Sequence, residues 1–193
     1  MTIRGIVFDF DQTLAQPHNL GLIRSIAKAS FWLRVHHTCD FFRGFRCNDL
    51  RKMMNQHLLR YYNQSQGLAF FDKSMAQFFK PHHILPKSLE LITLCDQLQL
   101  KRAILSDHPC LDKLKAIGLD NGWSAVVSCR NYHALKPLDD AMFALSSQLG
   151  IPCSELLFIG DRYDTDAVMA HRSGASFLHV CNISYAYDLI RRT

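Results

Sequence analysis

The chain has 193 residues, of which 48% are hydrophobic and 20% charged, a composition typical of soluble globular proteins and too apolar for a disordered one. Its formal net charge is +5, no apolar run is long enough to cross a membrane, and the first residues lack the apolar stretch of a secretory signal, so we expect a cytoplasmic protein. Seven scattered cysteines without a Cys-x-x-Cys pair indicate reduced thiols rather than a disulfide framework or a zinc site.

Short apolar runs that alternate with helical patterns predict an α/β fold. The runs with the character of buried strands lie at 3–9, 102–106, 124–128, 156–160 and 175–180. Helical patterns lie at 86–99, 110–117, 138–149 and 185–193. Gly118 and Gly150 follow two of these helices and are predicted to end them. Strands that alternate with helices in this way are typical of βαβ units and a parallel sheet.

The segment from 15 to 87 differs from the rest of the chain. Apolar residues at spacings of three and four predict amphipathic helices over 20–35 and 50–62, and a third helix over 70–79. Eleven lysine and arginine residues stand there against three acidic ones, whereas the rest of the chain is net negative. Such a positive charge suits an anionic substrate and also nucleic acid. We therefore expect a small all-helical insertion after the first strand.

Acidic residues follow two of the predicted strands directly. Asp9 and Asp11 come after the first strand, and Asp161, Asp164 and Asp166 come after the fourth. The carboxyl ends of parallel strands are where α/β proteins bind ligands. Carboxylates that meet there repel one another unless a cation lies between them or one of them is protonated. The pattern predicts a Mg²⁺-type site or acid–base chemistry.

Two further residues suit a phosphoryl-binding pocket at the same edge of the sheet. Ser106 ends the second strand, and Lys136 lies in the loop after the third. A hydroxyl and an ammonium beside a metal and two acids would hold phosphoryl oxygens. Asp107, next to Ser106, either adds negative charge at the pocket mouth or caps the helix that Pro109 opens.

Four strings of the chain together resemble the motifs of the haloacid dehalogenase-like (HAD) superfamily, in order and in spacing. They are DFDQT at 9–13, the serine of ILSD at 106, the lysine of LKP at 136 and GDRYDTD at 160–166. The resemblance implies a Rossmann-like three-layer fold whose parallel sheet has the strand order 3-2-1-4-5. It also implies a catalytic core formed by residues 1–14 and 88–193, with residues 15–87 as a helical cap.

The same resemblance implies the roles of the acidic residues. Asp9 would be the nucleophile that forms an aspartyl-phosphate, and Asp11 would protonate the leaving oxygen and then deprotonate the hydrolytic water. Mg²⁺ would be bound by Asp9, by Asp11 through its backbone carbonyl, and by Asp161. Asp166 would orient Lys136 or a metal-bound water.

The remaining motif residues are implied to hold the phosphoryl group. Ser106 and Lys136 would bind its oxygens and complete the catalytic set, Thr13 would support the loop beside them, and Asp107 would lie at the phosphate-binding pocket.

We therefore expect a Mg²⁺-dependent phosphatase that acts on a small phosphorylated metabolite. A phosphotransferase or phosphomutase with the same nucleophile is one alternative, and a non-catalytic binder of a phosphate ligand or nucleic acid is another. Dehalogenase chemistry is disfavoured because it does not need the second acid, Asp11. Nucleic acid is not the expected partner, because the aromatic residues of the cap are typical of a small domain's core.

Overall fold

The computed structural model describes residues 2–17, 76–132 and 134–191, which are built around a five-stranded parallel sheet. Its strands are β1 (Gly5–Phe8), β2 (Lys101–Ser106), β3 (Ala125–Ser128), β4 (Leu156–Gly160) and β5 (Ser176–His179). They lie in the order β3-β2-β1-β4-β5, and all neighbours are parallel, so the predicted strand order is confirmed. The order reverses at β1, which creates a crevice at the carboxyl ends of β1 and β4.

The register of the three central strands brings their carboxyl ends to one level. Phe8 of β1 pairs with Ile104 of β2 on one side and with Ile159 of β4 on the other. The backbone N–H of Asp9 then donates to the carbonyl of Ile159 at 2.8 Å. The residues that follow β1, β2 and β4 therefore leave the sheet at the same edge.

Helices cover both faces of the sheet. They are α1 (Pro86–Gln97), α2 (Leu111–Ile117), α3 (Asp140–Leu149), α4 (Val168–Ser173) and α5 (Ser184–Arg191). Side chains of β1 alternate between the faces, so that Ile6 and Phe8 belong to the core with α1, α2 and α5, whereas Val7 belongs to the core with α3 and α4. Gly118 and Gly150 end α2 and α3 with φ of 74° and 63°, as predicted.

Some apolar residues of the helical patterns over 86–99 and 110–117 are exposed rather than buried. Leu111, at the start of α2, is 57% exposed, and Leu89 and Leu98 at the two ends of α1 are exposed as well. The buried residues of α2 are Leu114 and Ile117, which belong to its apolar pattern, and Lys113, which does not. The helix is rotated so that a lysine faces the protein interior, and its partner lies in the candidate site.

The ends of the predicted cap lie side by side. Ala15 forms an antiparallel bridge with Ile84, Gln16 N–H donates to the carbonyl of His83 at 2.9 Å, and Leu85 N–H donates to the carbonyl of Leu14 at 3.0 Å. The helices predicted over 20–35 and 50–62 lie outside the described residues, as does most of the one over 70–79. The division into a core and a helical cap therefore stays a prediction.

Four of the five cysteines within the described ranges are buried, and all five are free thiols, as expected. Among the described helices, none combines the length and the apolar character needed to cross a membrane.

Candidate active site

The centre of the site is a buried ammonium between two buried carboxylates. Lys136 Nζ donates to Asp9 Oδ1 at 2.6 Å and to Asp166 Oδ1 at 2.7 Å. The three side chains are each less than a tenth exposed. Asp9 follows β1, Lys136 lies in the loop after β3, and Asp166 lies in a π-helical turn, Tyr163–Ala167, between β4 and α4. Residues that are far apart in the sequence thus meet at the carboxyl edge of the sheet.

The loop that carries Lys136 is held by Asp107. The Asp107 Oδ1 oxygen accepts a hydrogen bond from the backbone N–H of Lys136 at 2.8 Å. The interpretation of Asp107 as a helix cap is wrong, because α2 begins at Leu111, its N-cap residue is Cys110, and no side chain caps it. The Asp107 carboxylate instead joins the loop after β2 to the loop after β3, and it adds a third negative charge near Lys136.

Burial and charge together set the protonation of the central pair. Burial raises the pKa of Asp9 to about 7; the Lys136 ammonium opposes that rise, whereas the neighbouring carboxylates of Asp166 and Asp11 add to it. Burial alone would lower the pKa of Lys136, but the carboxylates of Asp9, Asp166 and Asp107 outweigh it and hold that pKa well above its ordinary value. Lys136 therefore stays an ammonium, and the site has more carboxylates than this one cation can balance.

A second group of carboxylates adjoins this pair. Oxygen atoms of Asp9, Asp161 and Asp166 lie within 4.8 Å of one another. Burial raises the pKa of Asp161, and the charge of Asp166 raises it further. Hard oxygen donors are the ligands that Mg²⁺ takes in proteins. Three of them lie together here, beside negative charge that Lys136 does not balance, so they could hold a Mg²⁺ ion.

Two backbone contacts fix the residues that lead from β4 into this group. The Asp166 Oδ2 oxygen accepts from Arg162 N–H at 3.1 Å. His179, at the end of β5, has its Nδ1 atom accepting from Cys181 N–H at 3.2 Å, so its Nε2–H donates to the Asp161 carbonyl at 2.8 Å. The neighbouring strand thus holds the backbone from which the Asp161 carboxylate projects.

Asp11 lies apart from the carboxylate group. Both of its side-chain oxygens accept hydrogen bonds from Lys113 Nζ of α2, at 2.8 and 2.6 Å. The metal ligand predicted at this residue was its backbone carbonyl, which this contact leaves unchanged. The Asp11 side chain, which we predicted to transfer protons, is held by Lys113.

The two predicted hydroxyl residues are both buried. Ser106 is 2% exposed at the end of β2, where it pairs with Ser128 of β3. Thr13 is fully buried, and its carbonyl accepts from the Ser88 hydroxyl of α1 at 2.7 Å. Among the described residues, the Thr13 hydroxyl oxygen has no hydrogen-bond partner. Thr13 therefore anchors the loop to α1 through its backbone.

Sequence reasoning missed two residues of the site, Lys113 and Gly160. Lys113 could have been found from its spacing to Cys110, Leu114 and Ile117, which places all four residues on one buried face. Gly160 ends β4, and a Cβ atom there would overlap the carboxylate of Asp166, with its Cγ at 2.6 Å. No local pattern marks that close approach.

Comparisons with known proteins agree with this architecture. A sequence model for proteins described as haloacid dehalogenase-like hydrolases matches residues 6–180. The structure of the HAD-hydrolase YfnB from Bacillus subtilis, bound to magnesium, is similar with a TM-score of 0.65 at 13% identity, covering 98% of this chain and 99% of that one. β-Phosphoglucomutase from Clostridium difficile gives a TM-score of 0.64 at 13% identity, covering 91% and 83%.

A HAD-superfamily hydrolase from Ehrlichia chaffeensis gives a TM-score of 0.61 at 16% identity, covering 100% of this chain and 98% of that one. At these identities the solved structures show a shared fold. The comparison with curated protein sequences gives no match.

Proposed function

Because the chain belongs to the haloacid dehalogenase-like hydrolase family, we propose that it is a Mg²⁺-dependent phosphatase that hydrolyses a small phosphate monoester through an aspartyl-phosphate on Asp9. The observation that carries the proposal is the buried Lys136 ammonium, which contacts Asp9 and Asp166 at 2.6 and 2.7 Å beside the Asp161 carboxylate.

The charges of the site suit attack by a carboxylate on a phosphate ester. A carboxylate and a phosphate dianion repel each other, so the nucleophile needs positive charge close by. The Lys136 ammonium supplies one such charge at the nucleophile itself, and its buried position strengthens the attraction. A Mg²⁺ ion held by Asp9, Asp161 and the Asp11 carbonyl would neutralise phosphoryl oxygens as charge develops on them.

The proposed reaction has two steps. The Asp9 carboxylate attacks phosphorus, the ester P–O bond breaks, and the leaving oxygen takes a proton from Asp11. Water then attacks phosphorus and gives a proton to Asp11, the bond between phosphorus and Asp9 breaks, and phosphate leaves. Two easier steps replace one difficult displacement. Ser106 and Lys136 hold the phosphoryl oxygens, and Asp107 and Asp166 hold Lys136 by its backbone and its side chain.

Asp11 favours phosphate chemistry over dehalogenation, because displacement of a halide needs no proton donor for the leaving group. A phosphotransferase or phosphomutase would use the same residues and would pass the phosphoryl group to a second hydroxyl instead of to water. The products distinguish the two: a phosphatase releases inorganic phosphate in an amount equal to the ester consumed.

The test is a panel of phosphorylated metabolites assayed for phosphate release with Mg²⁺ and with EDTA. We expect turnover of at least one ester with Mg²⁺, loss of turnover with EDTA, and no turnover by Asp9→Asn, which keeps the side-chain volume. Asp164→Asn is the matched control, because Asp164 lies in the same loop as Asp166 but is exposed and paired with Arg162. Turnover by Asp9→Asn comparable to that of the wild type would refute the mechanism.

A further inference from the structure

Lys113 occupies an unusual place for a lysine. Its side chain is 5% exposed, and its ammonium contacts both oxygens of Asp11 at 2.6 and 2.8 Å. The same ammonium lies over the rings of Phe10 and Phe79, 5.2 and 5.1 Å from their centroids. The two rings contact each other edge to face with centroids 5.3 Å apart. A charge removed from water in this way needs a defined partner, and here the partner is Asp11.

Three segments of the chain meet at this ammonium. Phe10 lies between the two acids of the first motif, Lys113 comes from α2, and Phe79 belongs to the segment that returns from the predicted cap. The rings restrict where the ammonium can lie, and the ammonium in turn restricts where the Asp11 carboxylate can lie. Without Lys113, nothing in the described contacts of Asp11 would select one rotamer of its side chain.

The exposure of the two partners differs in a way that suits a positioning role. The Asp11 side chain is 38% exposed, so a bound molecule can reach it on the side away from Lys113. Lys113 itself is enclosed and cannot touch such a molecule. A proton-transferring carboxylate works only within hydrogen-bond reach of the reacting oxygen, so holding it in place is part of catalysis.

We propose that Lys113 is a positioning residue that holds the Asp11 carboxylate at the edge of the site for proton transfer to the leaving oxygen, an inference that rests on the proposed function. For that transfer, Asp11 carries a proton on the oxygen that leaves Lys113 and gives it to the leaving oxygen of the ester, while the other Asp11 oxygen keeps its hydrogen bond with Lys113; the proton is regained from the hydrolytic water in the second step. Lys113 thus acts through Asp11 on kcat and makes no contact that would change substrate binding.

The decisive experiment is a double-mutant cycle with Lys113→Met and Asp11→Asn. Methionine has a similar length and suits the aromatic surroundings. We expect Lys113→Met to lower kcat about tenfold for alkyl phosphates, to lower it less for aryl phosphates, and to leave KM within about twofold, since the charged contact that holds Asp11 is lost. In the Asp11→Asn background the same change should have no further effect on kcat.

Two variants separate positioning from general damage. Lys113→Arg keeps the positive charge and the donors, and we expect it to retain more than a third of the wild-type kcat. Lys115→Met removes a lysine from the exposed face of the same helix, and we expect wild-type kinetics. If Lys113→Met does not fold, Lys113→Gln replaces it in the cycle.

Thermal unfolding of the four proteins in the cycle reports the contact without any substrate. The effects of the two substitutions on Tm should be non-additive, because each removes the same ion pair. Additive losses in both kcat and Tm would refute the role of Lys113 while leaving the phosphatase intact. A different result would refute the proposed function: the wild type hydrolyses no phosphate ester, although the Tm effects are non-additive. The role of Lys113 in catalysis would then be refuted as well, because it rests on that function.

Discussion

Gly160→Ala is a one-carbon change that should separate the carboxylate of Asp166 from Lys136. An alanine Cβ at the end of β4 would overlap the Asp166 Oδ2 atom and would lie 2.6 Å from its Cγ and 2.7 Å from its Cβ. Asp166 is 1% exposed and has hydrogen bonds to Lys136 Nζ at 2.7 Å and to Arg162 N–H at 3.1 Å. The side chain therefore has no free space into which it can withdraw without losing one of them.

The size of the effect follows from those distances. Ordinary carbon contacts are about 3.5 Å, so Asp166 must move by about 1 Å, which is enough to break a hydrogen bond of this length. Loss of one charged hydrogen bond costs about 1.5–3 kcal/mol, and we expect kcat/KM to fall by about 10- to 100-fold. Overpacking costs about 1–3 kcal/mol, which should lower Tm by about 3–10 °C.

Gly5→Ala is the matched control for this prediction. Gly5 lies in β1 at the opposite end of the sheet, and a Cβ there would approach Leu156 Cδ2 at 2.8 Å and the Lys101 carbonyl at 3.2 Å. We expect a similar loss of Tm with unchanged kcat/KM. Steady-state kinetics and thermal unfolding measure both quantities. A Gly160→Ala protein with wild-type kcat/KM, or an equal loss of kcat/KM in Gly5→Ala, would refute the importance of the close approach between Gly160 and Asp166.

The other predictions concern the metal, the second acid and the loop between them. Below the Asp9 pKa of about 7, Mg²⁺ must displace a proton from this carboxyl group in order to bind. The affinity for Mg²⁺ should therefore be about tenfold weaker at pH 6 than at pH 8, and Asp9→Asn should lose this pH dependence. A calorimetric titration that finds equal affinities at the two pH values would contradict this prediction. Asp11→Asn should lower kcat by about 10²–10⁴ for alkyl phosphates and by less for aryl phosphates, and equal losses would argue against its role as an acid. Gln12 and Gln99 have φ of 65° and 55°, in the left-handed region that β-branched residues disfavour. Valine at either position should therefore destabilise the fold by about 1–2 kcal/mol. Only Gln12→Val should also lower kcat, because Gln12 is next to Asp11.

The architecture of the described residues could be predicted from local patterns. Short apolar runs and helical spacings identified all five strands and four of the five described helices, with ends within about two residues. The short helix α4 (Val168–Ser173) was not predicted. The order of the strands came from the resemblance carried by Asp9, Ser106, Lys136 and Asp161, because no local pattern states which strands become neighbours. The structure has that order because parallel strands with right-handed crossovers permit few arrangements.

The sequence by itself therefore determined the five strands, four of the described helices, and which acids leave the sheet at its carboxyl edge. Only the tertiary structure decided what these acids contact. It placed Asp107 on the backbone of Lys136 instead of on a helix end, and it turned Lys113 of α2 inward to Asp11. These contacts join residues 29 and 102 positions apart. Hydrophobic periodicity reports the buried face of one element at a time, whereas a charge is buried only where a partner from another element reaches it.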